Sequence, residues 1–197
     1  MDLVIATRNK KKIEEIKRII KDSKISIFTL YDFPGSPEIE EDGATFDENA
    51  IKKAVAVAKY TGKAAIADDS GLEVKALHGA PGILSARYAG KDADDRKNIE
   101  KLLYEMQSVD IEQRGARFVC CIALVLPDGT TNTFHGYVGG TIGREPRGAR
   151  GFGYDPLFYP NGYNRTFAEM TDEEKDKLSH RGEALRKVRE FLKSQQR

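Results

Sequence analysis

Leu3 to Ala6 form a continuous apolar run, and Ile13, Ile16, Ile19 and Ile20 then recur at helical spacing. The pattern predicts a buried strand, a loop at Thr7-Arg8-Asn9 and a helix from about Lys10 to Lys21. Ile25 to Thr29 reads as a second strand, and Tyr31 to Gly43, rich in Pro, Gly and acid, reads as loop. Thr45 and Glu48 have the spacing of a capping box, and the helix they open carries Ile51, Ala54, Val55 and Ala58 along one stripe.

A strand over Ala64 to Ala67 follows, and its end brings Asp68-Asp69-Ser70-Gly71, a turn-like sequence with two adjacent carboxylates. Next come a short apolar piece, Leu72 to Leu77, and a glycine-rich loop at residues 78–82. Asp92 is placed to cap a helix reaching about Met106. Arg117 to Leu126 and Thr131 to Val138, joined by Pro127-Asp128-Gly129-Thr130, predict an antiparallel hairpin. A second glycine-rich stretch, Gly139 to Gly153, precedes a capping box at Thr171 and Glu174 and a last helix from about Ser179 to Ser194.

The 197 residues suit one domain, or one domain with two lobes, and span residues 1–197 without repeat or linker. Lys and Arg number 32 against 31 Asp and Glu, so no global field draws the chain to nucleic acid or an anionic membrane, and any polyanion it binds is small and met locally. The longest apolar run, Phe118 to Leu126, is too short to span a bilayer, and the start of the chain lacks a signal-peptide pattern, which leads us to expect a cytoplasmic protein. Cys120 and Cys121 are adjacent in that run, where a strand points them to opposite faces as core thiols.

Five segments carry candidate chemistry. Two neighbouring anions, Asp68 and Asp69, need a cation, a raised pKa on one of them, or open water, and a divalent metal fits the first case. Thr7, Arg8, Asn9, Lys10, Lys11 and Lys12 lie where free amides, the helix dipole and lysines converge on a phosphate. Glu40-Glu41-Asp42 is a second acidic cluster able to share a metal with Asp69. Phe152-Gly153-Tyr154-Asp155 sets rings beside a glycine and an acceptor, a loop suited to a flat heterocycle, and Ser179-His180-Arg181 presents donors at a helix start.

In this order the motifs A-T-R-N-K-K-K at 6–12, E-D-G-A-T-F-D-E-N-A at 41–50, A-D-D-S-G-L-E-V at 67–74, G-A-P-G-I-L-S-A-R-Y at 79–88, G-F-G-Y-D-P at 151–156 and L-S-H-R-G at 178–182 resemble the inosine triphosphate pyrophosphatase family, or XTP/dITP diphosphatases. The resemblance runs from residue 3 to about residue 190, and one departure is Arg8, which stands where the family often has glycine.

The resemblance implies an elongated two-lobed α/β fold, a long mixed β-sheet flanked by helices, a central substrate cleft and a homodimer. It implies Mg2+-dependent hydrolysis of ITP, dITP and XTP to the monophosphate and pyrophosphate, with Asp69 as proton acceptor and Asp68 beside it. Glu40 and Asp69 would hold the metal, and Thr7 to Lys12 would embrace the triphosphate. Lys53 is a further phosphate candidate, while Ser70, Phe152 to Asp155, Lys175, His180 and Arg181 correspond to substrate contacts. Lys175 or Arg181 would donate to a 6-keto oxygen and clash with the 6-amino group of adenine. The alternatives are a nucleotide sensor without turnover and a pyrophosphatase for pyrimidine or modified nucleotides.

Overall fold

The computed structural model describes residues 1–22 and 24–195. β1 (Asp2–Ile5), α1 (Lys10–Ile20), β2 (Ser26–Thr29) and α2 (Phe46–Thr61) lie where the periodicity places them. Local chemistry sets their ends. Asn9 caps α1 by accepting from the Lys12 amide, Thr45 caps α2 by accepting from the Glu48 amide, and Gly62 closes α2 in the left-handed conformation.

β3 (Ala64–Val74) departs from the expectation: it runs for 11 residues straight through Asp68-Asp69-Ser70-Gly71 and takes in the first part of the expected apolar piece. The Asp pair therefore sits in mid-strand and not at a strand's carboxyl end. Pairing with neighbouring strands outweighs the local turn preference of Asp, Ser and Gly. α3 (Asp95–Glu105) is capped by Asp94, whose side chain accepts from the Lys97 amide, so the cap lies two residues beyond the expected Asp92. β4 (Gly115–Val125) and β5 (Thr131–Ile142) form the expected pair of strands around the 127–130 turn, where the Gly129 and Leu126 amides close hydrogen bonds of 2.9 Å each.

β6 (Phe158–Pro160) was not legible as a strand, and it pairs antiparallel with the end of β5. Gly140 permits that approach, because a Cβ there would lie 2.3 Å from the Tyr159 carbonyl oxygen. α4 (Asp172–Leu178) starts at the expected Thr171–Glu174 capping box, and α5 (His180–Ser194) follows. The six strands are ordered β2-β1-β3-β4-β5-β6, with β1 parallel to β2 and β3, which makes a mixed α/β sheet flanked by helices. Among the described residues no helix is long and apolar enough to cross a membrane.

The chain divides into two compact units, one of Met1–Asp69, Cys120–Gly136 and Arg181–Arg197, the other of Ser70–Val119 and Tyr137–His180. The core of the first gathers Leu3 and Ile5 from β1, Ala64 and Ile66 from β3, and Cys120, Ile122 and Leu124 from β4. Ile13, Ile16 and Ile20 of α1 and Leu185 and Val188 of α5 cover this face. Each fully buried Ile, Leu or Val side chain among them contributes roughly 1.5–3 kcal/mol relative to exposure. Every second strand residue points here, so Asp68 shares this face, while Asp69 and Cys121 point to the other.

The second unit is built on Leu72, Val74, Leu102, Met106, Phe118, Tyr154, Phe158 and Phe167. Arg114 is buried within it and satisfied by main chain, donating to the carbonyls of Met106 (2.7 Å), Ile142 (2.8 Å) and Gly143 (2.9 Å).

Candidate active site

In the first unit the strand alternation gives the adjacent carboxylates different surroundings. Asp68 turns to the face covered by α1 and α5. There Arg181 donates from Nε at 2.9 Å and Nη2 at 3.4 Å, and the Lys12 ammonium pairs with Oδ1. Arg181 also reaches Glu15 of α1 from Nη1 at 2.5 Å, and the Cys120 thiol lies 3.1 Å from Asp68 Oδ2. Burial opposes the charge on Asp68, but Arg181 and Lys12 outweigh it and hold the carboxyl well below the usual carboxylate range.

Asp69 turns to α2. Its Oδ2 accepts from Asn49 at 3.2 Å, and its Oδ1 lies 3.2 Å from the Lys53 ammonium. Lys53 is shared, since it also donates to Glu41 at 2.5 Å and to the Asp68 carbonyl at 2.8 Å. Burial pushes the Asp69 carboxyl up, and Lys53 and Lys12 only partly counter it. Burial also works against the Lys53 charge, but Asp69 and Glu41 overcome it and leave the ammonium more strongly protonated than usual.

The β1–α1 loop lies in the same unit. Thr7 Oγ1 accepts from the Asn9 amide at 3.2 Å and Asn9 Oδ1 from the Lys12 amide at 3.1 Å, which fixes the loop as a helix cap. Arg8 donates to the Ser36 carbonyl at 3.0 Å and to its hydroxyl at 3.1 Å, and its own carbonyl accepts from the Tyr31 hydroxyl. Its guanidinium is thus a strut between loops. Lys10 and Lys11 are exposed at the helix start.

In the second unit Asp155 organises the 151–155 turn. Its Oδ2 accepts from the Phe152 amide at 2.9 Å and from Lys175 Nζ at 2.5 Å, and that ammonium lies 4.8 Å from the centre of the Phe152 ring. Gly151, at φ +71°, is required: a Cβ there would meet Asp155 Oδ2 at 2.0 Å. A ring, a buried ammonium and a buried carboxylate are therefore held together as a polar-edged aromatic platform. Tyr154 is instead a core residue that donates to the Ser85 carbonyl at 2.9 Å, and the Gly153 amide donates to Asp95 at 2.8 Å. His180 is buried and stacks on Phe118 at 4.7 Å, and Ser70 is half-buried in β3.

A profile of the Ham1 family matches residues 3–191. The chain belongs to the Ham1 family. It is 51% identical over 192 residues to a dITP/XTP pyrophosphatase of Desulforamulus reducens, covering 98% of this chain and 96% of that one. It is 48% identical to the dITP/XTP pyrophosphatase of Bacillus subtilis, with 98% of each chain covered. A HAM1 protein structure from Coxiella burnetii superposes with a TM-score of 0.90 at 44% identity, covering 98% of this chain and 99% of that one.

Within this Ham1 chain, the expected group of Lys12, Lys53, Asp68 and Asp69 comes together, joined by one acid of the expected 40–42 cluster and by one residue that sequence reasoning missed. Glu41, not its neighbour Glu40, reaches Lys53, whereas Glu40 is exposed. Glu15 is the missed residue: its place among isoleucines on the buried stripe of α1 was the available signal. Arg181 was expected to contact substrate, but its guanidinium is held between Asp68 and Glu15 and the residue is 1% exposed.

Proposed function

We propose that this Ham1 chain hydrolyses non-standard purine nucleoside triphosphates, ITP, dITP and XTP, to the monophosphate and pyrophosphate, with Asp69 as the general base. The observation that carries this reading is the electrostatic inequality of two adjacent aspartates. Asp68 is locked as an anion by Arg181 and Lys12, while Asp69 is buried with a raised pKa beside an ammonium. Neighbouring carboxylates held apart in this way divide into a fixed countercharge and a proton acceptor.

Asp69 takes a proton from water as the water oxygen bonds to the α-phosphorus and the bond to the pyrophosphate oxygen breaks. Lys53 keeps Asp69 oriented, and the 7–12 loop, with its helix start and Lys10 to Lys12, receives phosphate charge. Asp69, Glu41 and the Asp68 carbonyl form a set of hard oxygen donors around Lys53, which fits Mg2+. Asp69 would hold the ion with an acid of the 40–42 loop, Glu41 by its position and Glu40 by the family resemblance. When bound it supplies countercharge to the phosphates.

Lys175 above Phe152 is our candidate for reading the base. Its ammonium donates to a 6-keto oxygen and meets only N–H groups on the 6-amino group of adenine. Action in the cytoplasm as a homodimer belongs to the same reading, and light scattering tests the dimer.

The decisive experiment is hydrolysis of ITP, XTP, dITP, GTP and ATP with and without Mg2+ in isotopically labelled water. The reading expects pyrophosphate from the first three, little from ATP, and the label in the monophosphate. Label in the pyrophosphate would place the attack at the β-phosphorus, orthophosphate would place it at the γ-phosphorus, and binding without turnover would make the protein a sensor.

A further inference from the structure

Asp47, Cys121 and His135 converge on the face of the first unit opposite Asp68, and the reaction proposed above uses none of them. Asp47 belongs to the first turn of α2, Cys121 to β4 and His135 to β5, the strand next to β4 in the sheet. Strand alternation separates Cys121 from Cys120: the latter packs toward α1 and α5 and touches Asp68, while Cys121 turns to α2.

His135 Nε2 lies 2.8 Å from Asp47 Oδ1, and the Cys121 thiol hydrogen-bonds to the same side chain. One ligand atom from each residue lies within 4.8 Å of the other two. The sulfur forms a buried floor, and the Asp47 and His135 side chains, 44% and 36% exposed, leave the group open to solvent.

We propose that these three side chains form a transition-metal site of the Zn2+ class, separate from the carboxylates at Lys53. The chemistry favours this choice. One sulfur, one imidazole nitrogen and one carboxylate oxygen make a borderline-soft set that suits Zn2+ or Co2+ and discriminates against Mg2+. In a tetrahedral site with metal–ligand bonds of about 2.0–2.3 Å, neighbouring ligand atoms sit roughly 3.3–3.7 Å apart.

The Asp47–His135 contact of 2.8 Å is shorter than that range and the sulfur lies within 4.8 Å of both, so an ion enters by parting the pair by about half an ångström. The thiol proton is released to solvent as the sulfur binds, and water completes the four-coordinate shell. The Lys187 ammonium, which donates to the His135 carbonyl at 2.7 Å and to Glu183 at 2.8 Å, steadies the strand that carries the imidazole.

The site joins the first turn of α2 to the sheet. Asn49 and Lys53, which hold Asp69, lie on the same helix, so a bound ion fixes the start of the element that orients Asp69.

The test uses the full chain, stripped with a chelator and titrated with Co2+. One equivalent should produce a thiolate-to-cobalt charge-transfer band and the intense visible absorption of four-coordinate cobalt. Zn2+ should bleach both, whereas excess Mg2+ should not.

Cys121→Ser should abolish the charge-transfer band, and Cys120→Ser should keep it. His135→Ala alters a partly exposed side chain and serves as a folded control. It should weaken Co2+ binding by roughly tenfold or more. Absence of the band in the parent chain, its survival in Cys121→Ser, or its loss in Cys120→Ser would each overturn the proposal. None of these readouts depends on turnover, so the site stands or falls separately from the hydrolase reading.

Discussion

Arg181→Met removes a guanidinium that is 1% exposed and joins Asp68 of β3 to Glu15 of α1. The methionine retains the apolar stem but leaves Glu15 and half of the Asp68 environment without the cation. Breaking a buried ion pair from one side costs about 3–5 kcal/mol, because the remaining charges stay desolvated. Lys12 still faces Asp68, which argues for the lower part of that range. For a chain of this length the loss corresponds to a fall in Tm of roughly 6–20 °C.

The chain has no Trp, so unfolding in urea is best followed by far-ultraviolet circular dichroism. The pH dependence carries a definite sign. In the parent protein the Asp68 pKa is depressed, so its stabilisation is complete above the unfolded value of about 3.9 and is lost as pH falls through the folded value. In Arg181→Met, burial acts against a weaker opposing charge, and acidification relieves part of the cost. The gap between parent and variant should therefore narrow on acidification. Asp68→Asn in the Arg181→Met background should recover part of the loss, with a coupling of about 0.5–3 kcal/mol. A loss below about 1 kcal/mol at neutral pH, where only surface ion pairs fall, would refute the argument.

Asp69→Asn should lower kcat by roughly 10²–10⁴-fold and leave the circular dichroism spectrum unchanged. In the parent protein the base acts when deprotonated, so kcat should fall on acidification, and Lys53→Met, which removes a cation that favours the ionised form of Asp69, should move that limb to higher pH. A limb that stays in place in Lys53→Met would exclude Asp69. Lys175→Ala should reduce the ITP to ATP ratio of kcat/KM, and an unchanged ratio in a folded variant would place base reading elsewhere. Gly151→Ala should cost about 1–2 kcal/mol for its left-handed backbone alone, plus displacement of Asp155, and a stability matching the parent would contradict the geometry.

The sequence by itself determined the elements whose signals are local. α1, α2 and α4 begin at their capping side chains, and the isoleucine stripe of α1 faces the core as the helical period requires. The order of short motifs was enough to recognise the family, and the opposite directions of Cys120 and Cys121 followed from alternation along a strand.

Tertiary structure decided what each face meets. Asp68-Asp69-Ser70-Gly71 has turn composition, yet neighbouring strands keep it extended within β3. β6 exists because Gly140 lets another backbone approach, a condition set by residues far away in the chain. The choice of Glu41 over Glu40, the clamping of Arg181 by Glu15 and Asp68, and the unequal protonation of the two aspartates all depend on which helix covers which face of the sheet. Alternation tells which residues part company. Only packing places Arg181 against one and Lys53 against the other, because electrostatic environment is a property of distances in space and not of positions along the chain.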